Sequence, residues 1–355
     1  MSKPVELSIL DYSPVDEGLM PADALAASVR LAQHVEAKGF KRFWVSEHHA
    51  APATAGNSPE ILMSRIASAT RTIRVGSGGV LLPNYSSLKI AENYQLLEAL
   101  FPERIDLGFG RAPGADRRTG IALNDEKGKS LPYPRKVADL LGFVTGNHAP
   151  GSSYEGMQAH PHTQSRPQPF VLGASGATAE IAAQAGLGFT FAHFINPRGD
   201  GPIAAKAYRA AFQSTDFSDS PTVIAAVFVA VGDTEPQAEE FADAFHLWLT
   251  YAESASPFDR VPSLATTRAH HWSPEELAIR ERNRGRLISG TAPQVALQLQ
   301  RLANDYGTDE DMINLMMPGE AARLNAIDLL GAELKSTPLK QFEHGGGPKT
   351  ANVYQ

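Results

Sequence analysis

The sequence predicts an α/β fold: a (β/α)8 TIM barrel with an insertion after the seventh helix and an irregular C-terminal tail. Three observations carry this expectation. Short runs rich in β-branched residues alternate with longer segments of helical periodicity, as in parallel strands joined by crossover helices. Eight such runs can be counted, which suits a closed barrel better than an open doubly wound sheet. The chain has 355 residues, 43% of them hydrophobic, enough for a large core without staples.

Strands are expected at 5–10, 42–46, 73–77, 104–109, 169–173, 188–192, 222–231 and 312–315. Between and after them the spacing predicts helices over 22–38, 59–70, 88–100, 135–145, 177–185, 202–212, 235–251, 293–305 and 320–334. Two stretches break the alternation. Residues 147–166 are rich in Gly, Pro, Ser and His and read as a long loop; residues 254–286 form a charged, partly helical insertion. Residues 1–335 are expected to form one barrel domain, with 336–355 a C-terminal extension lacking apolar periodicity.

Composition narrows the function. With 32 Lys+Arg against 39 Asp+Glu the formal charge is −7, which argues against a nucleic-acid partner. Cysteine is absent, excluding disulfides, thiolate metal sites and cysteine nucleophiles. The opening residues lack a signal-peptide core, and the longest apolar stretch, 223–231, is too short to span a membrane. A soluble, cytoplasmic protein without a membrane partner is expected.

In a barrel of this kind the site lies at the C-terminal ends of the strands. Ser46-Glu47-His48-His49 follows the second expected strand, where a histidine beside a carboxylate suits a general base; a strand-end pair bonded to the next loop is the plain alternative. His160 and His162 raise a metal site, but lie in a Pro-rich loop without further ligands at metal spacing, so none is predicted. Ser77-Gly78-Gly79 removes two Cβ atoms after the third strand, for a flat ligand or for a tight turn. Gly110-Arg111 follows the fourth strand, where Arg111 could grip a phosphate or simply face water. Ala174-Ser175-Gly176-Ala177-Thr178 opens a helix, forming either a phosphate cradle or an ordinary Ser cap. His193 ends the sixth strand.

Four segments together carry a resemblance: F-W-V-S-E-H-H (43–49), R-V-G-S-G-G-V-L-L-P-N (74–84), A-E-N-Y-Q-L-L-E-A-L-F-P-E-R-I-D-L-G-F-G-R-A-P-G (91–114) and V-L-G-A-S-G-A-T-A-E-I-A-A-Q-A-G-L (171–187). In order and spacing the chain resembles the bacterial luciferase-like, flavin-dependent monooxygenase family over about 5–334. The resemblance implies a (β/α)8 barrel binding FMN as FMNH2, which reacts with O2 through a C4a-peroxyflavin to oxygenate a small organic substrate. It places the flavin phosphate at Ser175, Thr178 and Arg111, with Ser77, Gly110, Ala174, Gly176 and His193 around the cofactor and a non-proline cis peptide at Gly78-Gly79. It makes His48 the proton-handling group, with Glu47 or His49 orienting it, and residues 254–286 a mobile lid. A separate NAD(P)H:flavin reductase would supply reduced flavin, and homodimers are common in the family.

Gly110, Ala174 and His193 depart from luciferase, which has Cys, Glu and Trp at these positions, so light emission is not implied. Two alternatives stand beside this expectation: hydride transfer with a deazaflavin (F420) on the same barrel, and a non-catalytic flavin-binding protein.

Overall fold

The computed structural model describes residues 5–112, 117–123, 131–254 and 256–336. In chain order the elements are β1 (Glu6–Asp11), α1 (Pro21–Lys38), β2 (Arg42–Val45), α2 (Pro59–Ala69), β3 (Arg74–Ser77), β4 (Val80–Leu81), α3 (Ser87–Leu100), β5 (Ile105–Gly110), α4 (Arg117–Leu123), α5 (Tyr133–Thr145), β6 (Gln168–Gly173), α6 (Gly176–Gln184), β7 (Gly188–Ala192), α7 (Gly201–Ala211), β8 (Val223–Gly232), α8 (Glu235–Ala252), α9 (Leu264–Ala269), α10 (Pro274–Asn283), β9 (Leu287–Thr291), α11 (Ala292–Tyr306), β10 (Glu310–Asn314) and α12 (Glu320–Ser336).

The strands β1, β2, β3, β5, β6, β7, β8 and β10 pair side by side, all parallel, and β10 pairs with both β8 and β1 to close the ring. Every expected strand and helix is present, with ends displaced by two residues at most. Two strands and one helix were not expected. The two-residue β4 pairs with β5 just past Gly79, α4 lies after β5, and β9 pairs with the far half of β8 (Phe228–Gly232) where that strand outruns the ring. The insertion therefore carries α9 and α10 and ends on a strand. Most of the expected tail, 337–355, lies outside the described residues. No helix among the described residues is long and apolar enough to cross a membrane.

Local chemistry sets the element ends. The Met20 amide donates to Asp23 Oδ2 at 2.9 Å, Pro21 opens α1, and Gly39 closes it at φ +82°, a conformation other residues take at a cost. Ser86 caps α3 by accepting from the Lys89 amide at 3.4 Å. The 147–166 loop packs beside α5, its Ala159 amide donating to Phe143 O at 2.9 Å, and leads into the start of β6. His160 and His162, whose rings stack 4.4 Å apart, thus lie at the opposite end of the barrel from His48.

Alternation along the strands divides the interior in two. Ile9, Phe43, Val45, Val171, Val227 and Ile313 face the helix layer, whereas Leu10, Trp44, Phe170, Ile224, Phe228 and Met312 fill the barrel. Trp44 takes its space from its neighbours: a Cβ on Gly76 would lie 2.5 Å from its Nε1. Beneath it, Asp106 is fully buried and accepts from Trp44 Nε1 (2.8 Å), Arg42 Nη1 (2.8 Å) and Arg74 Nε (2.8 Å), while Arg42 Nε donates to Glu310 Oε1 at 2.9 Å. The two arginines hold the Asp106 carboxyl below the usual carboxylate range despite burial.

Asp311 has no such support. It shares the outward face of β10 with Ile313, is fully buried, and neither carboxylate oxygen has a hydrogen-bond partner among the described residues. Burial, with Glu310 beside it, raises its pKa well above 3.8, so the native group keeps a proton that the unfolded chain releases. Stability contributed here falls as pH rises above the ordinary carboxylate range, by up to about 1.4 kcal/mol per pH unit. Asp311→Asn should therefore raise the melting temperature, with a gain that widens from pH 5 to pH 8; a pH-independent difference in thermal denaturation would contradict this.

Candidate active site at the strand ends

The loops after the strands converge on one mouth. From β2 come Ser46, Glu47, His48 and His49. Ser46 is buried and its Oγ lies 3.0 Å from His48 Nδ1, so either tautomer can be met and Nε2 is left without a hydrogen bond among the described residues. The His48 ring lies 4.5 Å from Tyr12, which follows β1. Burial, and secondarily the charge of His49, lowers the His48 pKa from 6.5 to about 4, so the ring is neutral at pH 7.

Glu47 and His49 are directed elsewhere. The buried Glu47 carboxylate accepts from the Leu81 amide at 2.9 Å and from Tyr85 OH at 2.6 Å, and His49 Nε2 lies 2.7 Å from it. The group that orients His48 is Ser46, not Glu47 or His49 as expected; Glu47 instead fixes the segment beyond the glycines. Lys136 of α5 grips that segment too, donating to the carbonyls of Leu82 (3.3 Å), Pro83 (3.1 Å) and Tyr85 (2.6 Å).

The Gly78-Gly79 peptide is cis, and the two residues lie packed among Leu10, Trp44, Gly108 and Leu172, with no room for side chains. The Ser77 hydroxyl is taken up between Gly108 O (2.7 Å) and Tyr94 OH (2.5 Å), so any contact of this residue with a ligand falls to its backbone. Gly110 ends β5 with space beside it, where a Cβ would meet only Leu172 O at 3.6 Å. Arg111 is exposed, and its charge reaches Tyr133 at the start of α5.

At the end of β6, Ala174 O accepts from Asn196 Nδ2 at 3.2 Å. Ser175 takes the N-cap position of α6 in an extended conformation, yet its side chain makes no cap hydrogen bond; its Oγ lies 3.4 Å from Thr178 Oγ1. Two hydroxyls and the first-turn amides of Gly176 and Ala177 are thus offered at the positive end of a helix dipole. His193 follows β7, its Nδ1 3.1 Å from Tyr306 OH, and burial lowers its pKa.

The structure adds residues that spacing did not mark. Tyr12, Phe194, Phe228, Phe245, Trp248 and Val261 form an aromatic-walled apolar cluster continuous with the barrel interior. Phe245 and Trp248, three apart on a helix, would pass for an ordinary core stripe. The Asn314 amide nitrogen, buried at the end of β10 on the same face as Met312, has no partner among the described residues. The insertion reaches this cluster and is tied across the mouth: Val261 pairs with Val15 and Glu17 through backbone bonds of 2.8 and 3.0 Å, and Thr266 Oγ1 donates to Glu17 at 2.7 Å. Among the described residues, no group of three His, Cys, Asp or Glu is placed to hold a metal.

A closed parallel barrel with a buried neutral histidine, a glycine pair and an uncapped helix start at one mouth is a frame on which cofactor-dependent enzymes are built. Residues 5–310 match the model of the luciferase-like monooxygenase family. The chain is 44% identical to the uncharacterized protein YwcH of Bacillus subtilis, over 87% of this chain and 93% of that one. It is 34% identical to the N-acetyl-S-alkylcysteine monooxygenase of the same organism, over 87% and 92% respectively. The crystal structure of apo-MsnO8 superposes with a TM-score of 0.85 at 34% identity, covering 94% of this chain and 99% of that one. The protein belongs to the luciferase-like monooxygenase family and is an oxidoreductase by that membership.

The burial of His48 is open to direct test. In NMR titration its ring protons should shift with a midpoint near pH 4; a midpoint near the ordinary 6.5 would mean that the ring is solvated and the mouth is built differently.

Proposed function

We propose that the protein is an FMNH2-dependent monooxygenase that uses O2 on a small organic substrate, with reduced flavin supplied by a separate NAD(P)H:flavin reductase. The observation that carries this reading is the start of α6, where the Ser175 side chain leaves its own helix uncapped and faces Thr178, beside the Gly176 and Ala177 amides, which have no partner among the described residues. A ready helix cap left unused is a donor set for an anion, and it lies on the same mouth as Gly78-Gly79 and His48. These residues fit FMN: Ser175, Gly176 and Thr178, with Arg111, would hold the phosphate, and the side-chain-free surface at Gly78-Gly79 suits a flat ring. Bound reduced FMN would supply the electrons that activate O2.

The chain's own residues do the rest. His48, neutral and held by Ser46, takes or returns a proton at the substrate through Nε2. Glu47 and Lys136 hold residues 81–85 from two sides, so the glycine face keeps its shape. The strapped insertion and the aromatic cluster exclude water, which would otherwise reach the reacting atoms. The 34% identical relative named for N-acetyl-S-alkylcysteine makes a thioether the first substrate to try. A cytoplasmic homodimer pairing through the early helices completes the reading; on α2, Ile61 presents an apolar side chain to solvent.

His48→Ala should leave the dissociation constant for reduced FMN within about twofold in anaerobic titration while lowering product formation by about two orders of magnitude or more. Unchanged turnover would remove His48 from the chemistry. Ser175→Ala with Thr178→Ala should weaken reduced-FMN binding by about tenfold or more; unchanged affinity would place the phosphate elsewhere.

A further inference from the structure

A guanidinium is anchored to the rim of the aromatic cluster. Arg286 stands at the end of the insertion, just before β9, with its side chain only 15% exposed. Its Nε donates to the carbonyl of Phe194, a member of the cluster, at 2.5 Å, and the next residue, Leu287, packs on the same cluster. Its Nη1 pairs with Glu253, at the end of α8, and Nη2 has no partner among the described residues. Its charge also reaches the buried Tyr12 phenol beside His48.

The two members of this ion pair are unequal. Glu253 is 42% exposed and can move into water at little cost, whereas the arginine is held by the Phe194 carbonyl and cannot follow. A departing Glu253 leaves the Nη1–Nη2 edge of a fixed, largely desolvated guanidinium free, the geometry that accepts a carboxylate through two parallel hydrogen bonds. The cluster side chains beside it are aromatic and aliphatic, which suits an apolar chain.

We propose that the substrate admitted to this mouth is an apolar molecule bearing one carboxylate, with Arg286 receiving the carboxylate in place of Glu253 and the aromatic cluster seating the chain. This assignment rests on the monooxygenase reading of the same mouth and specifies its substrate class. It also joins binding to the insertion, because Glu253 and Arg286 flank that segment on either side and part when the anion arrives.

The test needs no flavin. Binding is read from intrinsic tryptophan fluorescence, to which Trp248 of the cluster contributes, using octanoate against methyl octanoate and N-acetyl-S-butylcysteine against its methyl ester. The acids should bind at least about tenfold tighter than their esters, and Arg286→Gln should abolish that preference while leaving the esters unchanged. Glu253→Gln, which removes the competing carboxylate, should tighten the acids alone and keeps the test decisive if the arginine variant does not fold. Equal binding of acid and ester to the native protein, or weaker acid binding in the Glu253 variant, would overturn the proposal. A matching loss of reduced-FMN affinity in Arg286→Gln would assign the guanidinium to the flavin phosphate and overturn it as well. Since reduced-FMN titration of the native protein reads the flavin assignment separately, failure of one is distinguishable from failure of the other.

Discussion

Asp106 lies at the floor of the barrel, shut off from solvent, and its two carboxylate oxygens are shared among Arg42, Trp44 and Arg74. Those partners come from β2 and β3, and Asp106 itself from β5. One buried charge therefore fixes the register of three strands at their lower ends. Removing one member of such a buried network leaves uncompensated charge and costs about 3–5 kcal/mol. The same three strands deliver the mouth at their upper ends: Ser46 to His49 from β2, Gly78-Gly79 from β3, Gly110-Arg111 from β5. A slip of one residue would turn Trp44 out of the barrel and move every one of these groups to the wrong face.

Above that floor, packing and polarity divide the work. Trp44 fills the barrel against Gly76. Gly78-Gly79 lies one pleat higher, and there too the missing side chains make room for the core, here for Leu10, Trp44 and Leu172. Glu47 shows how a site residue can act at a distance: its carboxylate spans from the end of β2 to the Leu81 amide and Tyr85 hydroxyl, making the segment after the glycines part of the β2 loop's structure. His48 is thereby left to the hydroxyl of Ser46 and the ring of Tyr12, an environment that keeps the imidazole neutral.

Much of this was legible in the sequence. Several ring strands, β8 (VIAAVFVAVG) most clearly, carry apolar runs because both faces are buried, and that signal does not depend on tertiary detail. The glycine pair and the Ser175–Thr178 segment stood out because each combines an unusual local composition with a strand end. What escaped notice escaped for physical reasons. Strand β9 (Leu287–Thr291) is only half-buried along its length and follows a charged helix, so its pattern is diluted; β4 is two residues long. The partners of Glu47 lie 34 and 38 residues away, and nothing local distinguishes a carboxylate that braces a loop from one that orients the adjacent histidine. Arg286 closes a charged stretch of sequence, and only folding brings it to Phe194 and Glu253.

The proposed function requires this mouth to hold reduced flavin shielded from water long enough for oxygen chemistry on a substrate. Its most direct test is to mix the anaerobic complex of the protein and reduced FMN rapidly with oxygenated buffer, following flavin reoxidation and hydrogen peroxide together. Reoxidation slower than that of free reduced FMN, with peroxide release suppressed when substrate is present, is the predicted result. Reoxidation at the free rate with one peroxide per flavin, substrate or not, would contradict it.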